Sequence, residues 1–395
     1  MKKTNFSGFS IWKIKIFRQT FALWKRCAIL QVISINLNTG CISIMENVKP
    51  DSRSRRVRSV IFFLLKILLA GSIVYVLVSR QKEAVLECFK NFDYRYLLPA
   101  VVLYFAHMVV CGLRWRVLAG VLGVKLSRME AVSLSMQGYF FSLVMPSAIG
   151  GDLVKIGVLS ARAERGTKVE GAFSILMDRI VGMIGMFLLL LVLMPPAIPM
   201  LLKVDIPGLP LTTGMKYGAI ALIYLCTLAG LGASVAIFFH RFFRKLPIFG
   251  WLMDVGDRVT HGLVSRVTAA ADVYVKQPGT LIRCIAVSVV FVHMLVAGVF
   301  WILAAGCGAS GATAFCILAA VTIGNLVGLI PVFPAGVGGR DMTVIAILVA
   351  GGVISADART AQLLSTALMI FANLSAGIFF LLDPGRKRGV SCRAE

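Results

Sequence analysis

The chain has 395 residues, of which 58% are apolar, and a formal net charge of +23. Its mean hydropathy of +0.87 is far above that of soluble globular proteins, and several apolar runs approach the roughly 20 residues that a spanning helix needs. These features exclude a soluble enzyme core, and also a β-barrel, whose strands would show runs of about 10 alternating residues. We therefore predict an all-α polytopic membrane protein.

The excess of positive charge, 41 Lys and Arg against 18 Asp and Glu, lies mainly in the N-terminal arm and in a few loops. In a membrane protein such clusters indicate orientation and contact with anionic lipid headgroups. A nucleic-acid partner is not expected, because no basic face on a recognisable fold is present. The nine cysteines form no CxxC pair and have no histidine at metal-ligand spacing, so we predict neither a metal site nor a cofactor.

Residues 1–58 form a basic arm before the first apolar span. Two interpretations of residues 1–44 stay open. In the first interpretation they form an interfacial basic helix. In the second, translation starts at Met45 and these residues are an extension of the gene model. The short basic segment between Met45 and a clean first span favours the second interpretation. Five positive charges between residues 49 and 58, against Asp51, place this flank in the cytoplasm.

The first half of the membrane domain, residues 59–194, contains three predicted spans and one broken segment. Apolar sequence runs from Ala131 to Ser160, but it breaks at Pro146–Asp152, and basic residues flank both ends. We therefore predict a re-entrant helical hairpin that enters and leaves on the cytoplasmic side. The predicted spans are 60–79, 97–113 and 171–194, and a weakly charged outer loop follows at 195–214.

The second half, residues 215–383, repeats this plan with a hairpin at 312–354 that breaks at Pro331–Asp341. Because each half has an odd number of spans, three, the second half is inverted in the membrane relative to the first. The two breaks also correspond in spacing, since Asp152 and Asp341 are 189 residues apart. We predict about six spanning helices and two re-entrant hairpins, eight hydrophobic segments in an inverted repeat within a single domain, 59–385. The second-half spans are 215–239, 284–306 and 361–382, with a basic cytoplasmic loop at 240–283 and a cytoplasmic tail at 386–395.

The two breaks are the candidate binding site. A helix that starts at Gly150-Gly151 inside the membrane presents free N–H groups and a positive dipole end, which bind anions. Asp152 can cap that helix, and Lys155 lies beside it on the helix surface. Gly338, Gly339, Arg340 and Asp341 repeat the pattern, and an Arg fork can bond two phosphate oxygens.

Other polar groups in apolar sequence are weaker candidates. Asp178 and Arg179 either bind a lipid phosphate or form a structural ion pair that joins their span to the first hairpin. Asn325 either lines the site or satisfies freed backbone groups, whereas Arg114 and Arg116 are expected to be interfacial anchors, and His107 and His293 hydrogen-bonded core residues. The candidate substrate-binding residues are Gly150, Gly151, Asp152, Lys155, Asp178, Arg179, Asn325, Gly338, Gly339, Arg340 and Asp341.

These residues resemble the motifs of the flippase-like membrane domain of the lysylphosphatidylglycerol synthase family. The resemblance extends from about residue 60 to 385, with Lys155 where the family commonly has Arg and Asp341 where it commonly has Glu. It implies a lipid-translocating domain without the separate cytoplasmic synthase domain. The matching motifs are Arg114-Trp115 with Leu118, Pro146 with Gly150-Gly151-Asp152 and Lys155, Asp178-Arg179 with Gly182, and Pro334 with Gly336, Gly338 and Arg340-Asp341.

We therefore expect a protein that binds and translocates phospholipid, aminoacyl-phospholipid or glycolipid headgroups across the cytoplasmic membrane, with both termini cytoplasmic. No P-loop, GxSxG or HExxH motif is present, so we predict neither an enzyme nor catalytic residues. An accessory or transferase subunit in lipid modification and a small-anion transporter remain as alternatives. The expected partners are membrane lipids, and a lipid-modifying enzyme and a second copy of the chain stay open.

Overall fold

Helices make up all the regular secondary structure in the part of the chain that the computed structural model describes. This part comprises Leu86 and residues 90–144, 150–162, 168–205, 212–259, 262–309, 311–329 and 338–382. The all-α fold class is therefore confirmed. The helices are α1 (Leu97–Val121), α2 (Arg128–Val144), α3 (Gly150–Arg162), α4 (Lys168–Leu201), α5 (Thr213–Phe238), α6 (His240–Phe243), α7 (Pro247–Val259), α8 (Leu263–Val275), α9 (Pro278–Val287), α10 (Met294–Gly306), α11 (Ala314–Gly328), α12 (Gly339–Ala350), α13 (Ser355–Ser375) and α14 (Ile378–Leu381).

Five helical segments among the described residues are long and apolar enough to cross a membrane. They coincide with five of the six predicted spans, whereas the remaining one, 60–79, lies outside the described residues. In the fourth segment, a π-helical turn at Ser288–His293 joins α9 to α10. The five segments are Tyr94–Val121, Glu170–Leu201, Thr213–Phe238, Pro278–Gly306 and Ser355–Phe380.

Local sequence signals mark where several helices begin. The Thr212 hydroxyl accepts a hydrogen bond from the N–H of Met215 at the start of α5. The Thr313 hydroxyl does the same for Cys316 at the start of α11. Each hydroxyl satisfies one of the N–H groups that the first turn of a helix leaves without an intrahelical partner.

The third predicted span of the first half, 171–194, is longer than predicted, because α4 continues to Leu201 through Pro195, Pro196 and Pro199. Each proline removes a backbone hydrogen bond from the helix. For this reason the sequence predicted that the helix ends at Met194. Packing outweighs this loss, since Met194 and Ala197 are fully buried in the largest apolar cluster of the described chain, together with residues of α10, α11 and α12. The predicted outer loop therefore begins several residues later.

The predicted cytoplasmic loop 240–283 contains three further helices, α6, α7 and α8, before α9 begins. Helix α8 is amphipathic, and it buries Ala270, Ala271 and Tyr274 against Leu118 of α1 and Phe238 of α5. The Tyr274 hydroxyl also donates to the carbonyl oxygen of Leu118 at 2.9 Å. The loop thus has no core of its own but is fixed to the ends of the spanning helices.

Two pairs of short helices, α2 with α3 and α11 with α12, form hairpins that position the candidate site. In the first hairpin the backbones meet at two glycines, because a Cβ added to Gly151 would collide with the carbonyl oxygen of Gly138. In the second, a Cβ added to Gly324 would lie 2.6 Å from Cγ2 of Val344. Helix α2 also packs against α13, and α11 packs against α4, so each hairpin contacts the long helix that follows the other hairpin.

Candidate functional site

Arg114 is the centre of a buried ion-pair network between α1, α4 and the π-helical turn. Its Nε donates to Oδ1 of Asp178 at 2.9 Å, and its Nη2 donates to the carbonyl oxygen of the same residue at 3.2 Å. Its Nη1 donates to Oγ of Ser288 at 2.6 Å. The side chain is only 5% exposed. The prediction that Arg114 is an interfacial anchor is therefore wrong, because its partners lie on distant helices rather than at the membrane surface.

Gly185 of α4 makes room for this network. A Cβ added to Gly185 would lie 2.7 Å from Cβ of Ser288, whereas one added to Gly182 would lie 3.4 Å from Nη2 of Arg114, an ordinary van der Waals contact. The π-helical turn brings Ser288 to the guanidinium, and π-turns are frequent where a helix carries a functional side chain. Close packing therefore explains Gly185, while Gly182 of the Asp178-Arg179 motif lies directly beside the buried cation.

Arg179 joins α4 to the first hairpin. Its Nε and Nη2 donate to Oδ2 and Oδ1 of Asp152, each at 2.9 Å, so the pair is bidentate. Of the two predicted roles for Arg179, the ion pair to the hairpin is therefore present. The guanidinium fork engages both oxygens of Asp152, and the predicted capping role of this residue stays a prediction, because the residues before Gly150 lie outside the described chain. The Arg179 side chain remains 55% exposed, against 12% for Asp152, and its Nη1 lies outside this pair.

Lys155 lies on the hairpin face that meets α1. Its Nζ is 5.1 Å from the centroid of the Trp115 ring, a cation–π contact, and the Trp115 indole N–H donates to Oγ of Ser174 at 3.2 Å. Gly138 of α2 leaves space for the lysine, because an added Cβ would lie 2.5 Å from Lys155 Cε. As predicted, Lys155 lies beside Asp152 on the surface of α3 and interacts with it electrostatically, while its ammonium packs on the indole.

Asp341 organises the second break. Gly338 has a φ of 98°, which favours glycine, and its N–H donates to Oδ2 of Asp341 at 2.9 Å. The predicted capping role of Asp341 is therefore confirmed. Oδ1 of Asp341 accepts from Nε2 of Gln362 at 2.6 Å and from the Thr366 hydroxyl at 3.2 Å. Gln362 and Thr366 were missed, because nothing distinguishes their polar side chains in the sequence of α13.

Arg340 belongs to the same network. Its Nε and Nη2 donate to Oδ1 of Asp341 at 3.3 and 3.2 Å, and Nη2 also donates to the Thr366 hydroxyl at 3.3 Å. Its Nη1 faces the Met369 sulfur at 3.4 Å, a weak acceptor. Asn325, by contrast, is half-buried on α11 and makes no hydrogen bond to another described residue.

Aromatic and imidazole side chains connect the two hairpins. The ring of His107 lies 5.8 Å from that of Tyr104 and 6.4 Å from that of Tyr139. Tyr139 interacts electrostatically with Arg179, and Tyr104 with Arg340. His107 bonds the carbonyl oxygen of Val292, and His293 likewise bonds that of Gly182, so both are hydrogen-bonded core histidines as predicted.

The motifs of the first half thus meet in three dimensions. Arg114 and Trp115, Asp152 and Lys155, and Asp178 and Arg179 come from three different helices but share ion pairs or direct contacts. The described residues contain no group of three His, Cys, Asp or Glu side chains that could hold a metal ion. The arrangement is that of a cationic site with paired carboxylates inside a helical membrane protein.

Comparison with known proteins agrees with this geometry. The family model for the lysylphosphatidylglycerol synthase TM region matches residues 63–377. No curated protein matches the chain. The match covers more than half of the chain and includes every motif named above, and it indicates an integral membrane protein linked to lipid modification or handling. The chain therefore belongs to the family of the lysylphosphatidylglycerol synthase transmembrane region.

Proposed function

We propose that the protein translocates phospholipid headgroups across the bacterial-type cytoplasmic membrane, with both termini in the cytoplasm. The headgroup passes through a polar path between the two hairpins, while the acyl chains stay in the lipid. The basic flanks at residues 49–58 and 386–388 support this orientation. No ATPase motif is present in the sequence, so we expect movement to be passive or coupled to an ion.

The lengths of the hairpin helices support a re-entrant arrangement. At about 1.5 Å per residue, α3 and α12 are each roughly 20 Å long, whereas the hydrocarbon core is roughly 30 Å thick. Neither helix is long enough to cross the bilayer alone. Backbone that ends inside the membrane must be buried in protein or line a water-filled cavity, and on our proposal the two breaks line the polar path.

The packing of the long helices supports an inverted repeat. Helices α1 and α10, which precede the hairpins in their respective halves, pack against each other. The contact of α2 with α13 corresponds to that of α11 with α4. A two-fold relation between the halves accounts for both features. Inverted repeats with broken helices near the midplane form the binding sites of many transporters.

The observation that carries the proposal is the placement of charge beside both breaks. Four cations, Arg114, Lys155, Arg179 and Arg340, accompany three carboxylates, Asp152, Asp178 and Asp341. Charges at membrane depth are costly and generally line a substrate pathway. An excess of cations suits a negatively charged cargo, and Arg and Lys are the side chains that recognise phosphate.

Lipid scrambling in proteoliposomes tests this proposal. Protein-containing vesicles with an inner-leaflet fluorescent phospholipid should expose it to a membrane-impermeant quencher faster than empty vesicles. The Arg179→Gln, Arg340→Gln double variant should be slow, whereas Arg241→Gln, which changes an exposed cation 74% accessible to solvent, should match the wild type. Wild-type vesicles no faster than empty ones, or an unchanged double variant, would refute the proposal. Flux of a small anion without lipid movement would favour the solute-transporter alternative.

A further inference from the structure

We infer that the first hairpin holds one subsite for a singly charged phosphate diester, formed by Lys155, the outer edge of Arg179 and the start of α3. We call these three elements the first-hairpin anion site. The described residues of the second hairpin, which carries the corresponding motif, offer no ammonium at the matching position. The inference rests on the proposed function and refines it, because it names the part of the headgroup that is bound and the hairpin that binds it.

The first step is the unsatisfied state of the Lys155 ammonium. The side chain is nine-tenths buried, and within the described part of the chain it makes a cation–π contact but no hydrogen bond. An ammonium has three N–H donors, and the face of an indole satisfies none of them fully. Burying such a group without hydrogen-bond partners is costly. A ligand oxygen would remove that cost.

The second step is where the ammonium lies. Side chains on a helix lean toward its N terminus, so Lys155 extends back over the first turn of α3. Its stem passes Gly138, and Gly138 in turn contacts Gly151 of that first turn. The positive end of the α3 dipole and the Lys155 charge therefore act on the same region.

Arg179 completes the site from the side of α4. Its Nε and one Nη2 hydrogen are held by Asp152, which fixes the plane of the guanidinium. A guanidinium has five N–H donors, so the outer edge keeps three. That edge belongs to a side chain that is half exposed, and Lys155 and Arg179 interact electrostatically. Two neighbouring cations of this kind can bind different oxygens of one phosphate.

The second hairpin differs at the decisive positions. With the 189-residue offset between the two Asp residues, Val344 corresponds to Lys155. The packing agrees, because Val344 contacts Gly324 as Lys155 contacts Gly138. Asp341 caps its own helix, and the Arg340 guanidinium bonds Asp341 and Thr366. This network engages Nε and Nη2 of Arg340, and at the described position that matches Lys155 the second hairpin has a valine instead of an ammonium.

The balance of charge indicates the class of ligand. At the first hairpin the cations Arg114, Lys155 and Arg179 face the carboxylates Asp152 and Asp178, which leaves one uncompensated positive charge. In a low-dielectric site a ligand with one negative charge neutralises this excess, whereas a dianion would overcompensate it. A phosphate diester carries one negative charge. Phospholipid headgroups and soluble diesters share this chemistry.

Binding measurements on the whole purified protein in lipid nanodiscs of neutral lipid test the site directly. The probes are short-chain phosphatidylglycerol, glycerophosphoglycerol as the soluble diester, and inorganic phosphate. Lys155→Met should weaken binding of the lipid probe about tenfold or more, as expected for loss of a charge-assisted hydrogen bond. The control variant Arg241→Met, at an exposed cation outside the hairpins, should change it less than about threefold, and Lys155→Arg should keep most of the affinity because the cation is retained.

The outcomes separate the site from the proposed function. Equal losses in Lys155→Met and Arg241→Met, or no loss in Lys155→Met with a wild-type melting temperature, would overturn the inference. If Lys155→Met is unstable, the failure of Lys155→Arg to restore both folding and binding would also overturn it. Binding of the soluble diester as tight as that of the lipid would assign the site to a soluble ligand and overturn the headgroup assignment. Lys155-dependent binding without scrambling would support the site and refute the translocase.

Discussion

The Arg114–Asp178 pair provides the sharpest test of how this membrane domain is held together. Replacement of Arg114 by Met removes the partner of a carboxylate that is only 13% exposed, and it also removes the donor to Ser288. Loss of one member of a buried ion pair costs about 3–5 kcal/mol, because the other charge stays buried without compensation. We therefore expect Arg114→Met to lower the free energy of unfolding by roughly this amount.

The pair can be separated from its surroundings by a double-mutant cycle. Asp178→Asn added to Arg114→Met removes the uncompensated charge, so the double variant should regain about 1–3 kcal/mol relative to Arg114→Met alone, a coupling typical of residues in one network. Arg241→Met is the matched control, because Arg241 forms an ion pair with Asp272 but its side chain is 74% exposed. Exposed pairs of this kind contribute about 0–1 kcal/mol.

Unfolding free energies measured by steric trapping in bicelles would decide the outcome, since the method works without detergent denaturation. An Arg114→Met loss no larger than that of Arg241→Met would refute the reasoning. So would strict additivity of the two changes in the cycle. Either result would mean that the Arg114 guanidinium is not committed to the fold and is available to a ligand, contrary to the network described above.

Three further predictions concern packing and the cytoplasmic helices. Gly151→Ala should destabilise the protein by about 1–3 kcal/mol, because its Cβ would meet the backbone of α2. In the same helix, a Cβ at Gly157 would meet nothing, so Gly157→Ala should be neutral or stabilising by up to about 1 kcal/mol in the same assay. Tyr274→Phe should cost about 1–3 kcal/mol, because it leaves a buried carbonyl at the end of α1 without its hydroxyl donor. Hydrogen bonds from Ser265 lower the pKa of Asp257 below its usual value of 3.8. Asp257→Asn should therefore speed amide exchange at the start of α8 at neutral pH, as measured by mass spectrometry.

The direction of the pH effect at Asp257 follows from linkage. A carboxyl group whose pKa is lower in the folded state stabilises that state above its unfolded pKa, and the contribution is lost as pH falls through the folded value. The wild-type exchange rate, corrected for the intrinsic effect of pH, should thus approach that of Asp257→Asn only below about pH 3.8. Convergence near neutral pH would contradict the role assigned to Asp257. Identical stabilities of the two glycine variants would contradict the packing argument, and no effect of Tyr274→Phe would contradict the hydrogen-bond argument.

The features that could be predicted from sequence are those with local causes. Apolar runs identified the spanning helices, and Pro and Gly marked the hairpin breaks. Asp341 was correctly expected to cap α12, because an N-cap contact spans only three residues. His107 and His293 were correctly expected to be hydrogen-bonded core residues, since neither had an acidic neighbour.

The features that could not be predicted depend on distant parts of the chain. Arg114 resembled an anchor because its partner Asp178 is 64 residues away and Ser288 is 174 residues away. The prolines of α4 predicted a helix end, but the packing that overrides them comes from the second half. In the same way, Arg179, the partner of Asp152 in its bidentate ion pair, is 27 residues away in the sequence.

The difference between the two hairpins matters more for mechanism than their likeness. An inverted repeat can supply two conformations of similar energy that open to opposite sides, which is what alternating access requires. Two equivalent anion sites would hold two phosphates, whereas a single headgroup needs one site that either conformation can reach. The structure has Lys155 in the first hairpin and Val344 at the matching position of the second, where Asp341 accepts hydrogen bonds from Gln362 and Thr366. On the proposed function, similar halves allow the movement, and Lys155, which Val344 replaces in the other half, determines that a single headgroup moves.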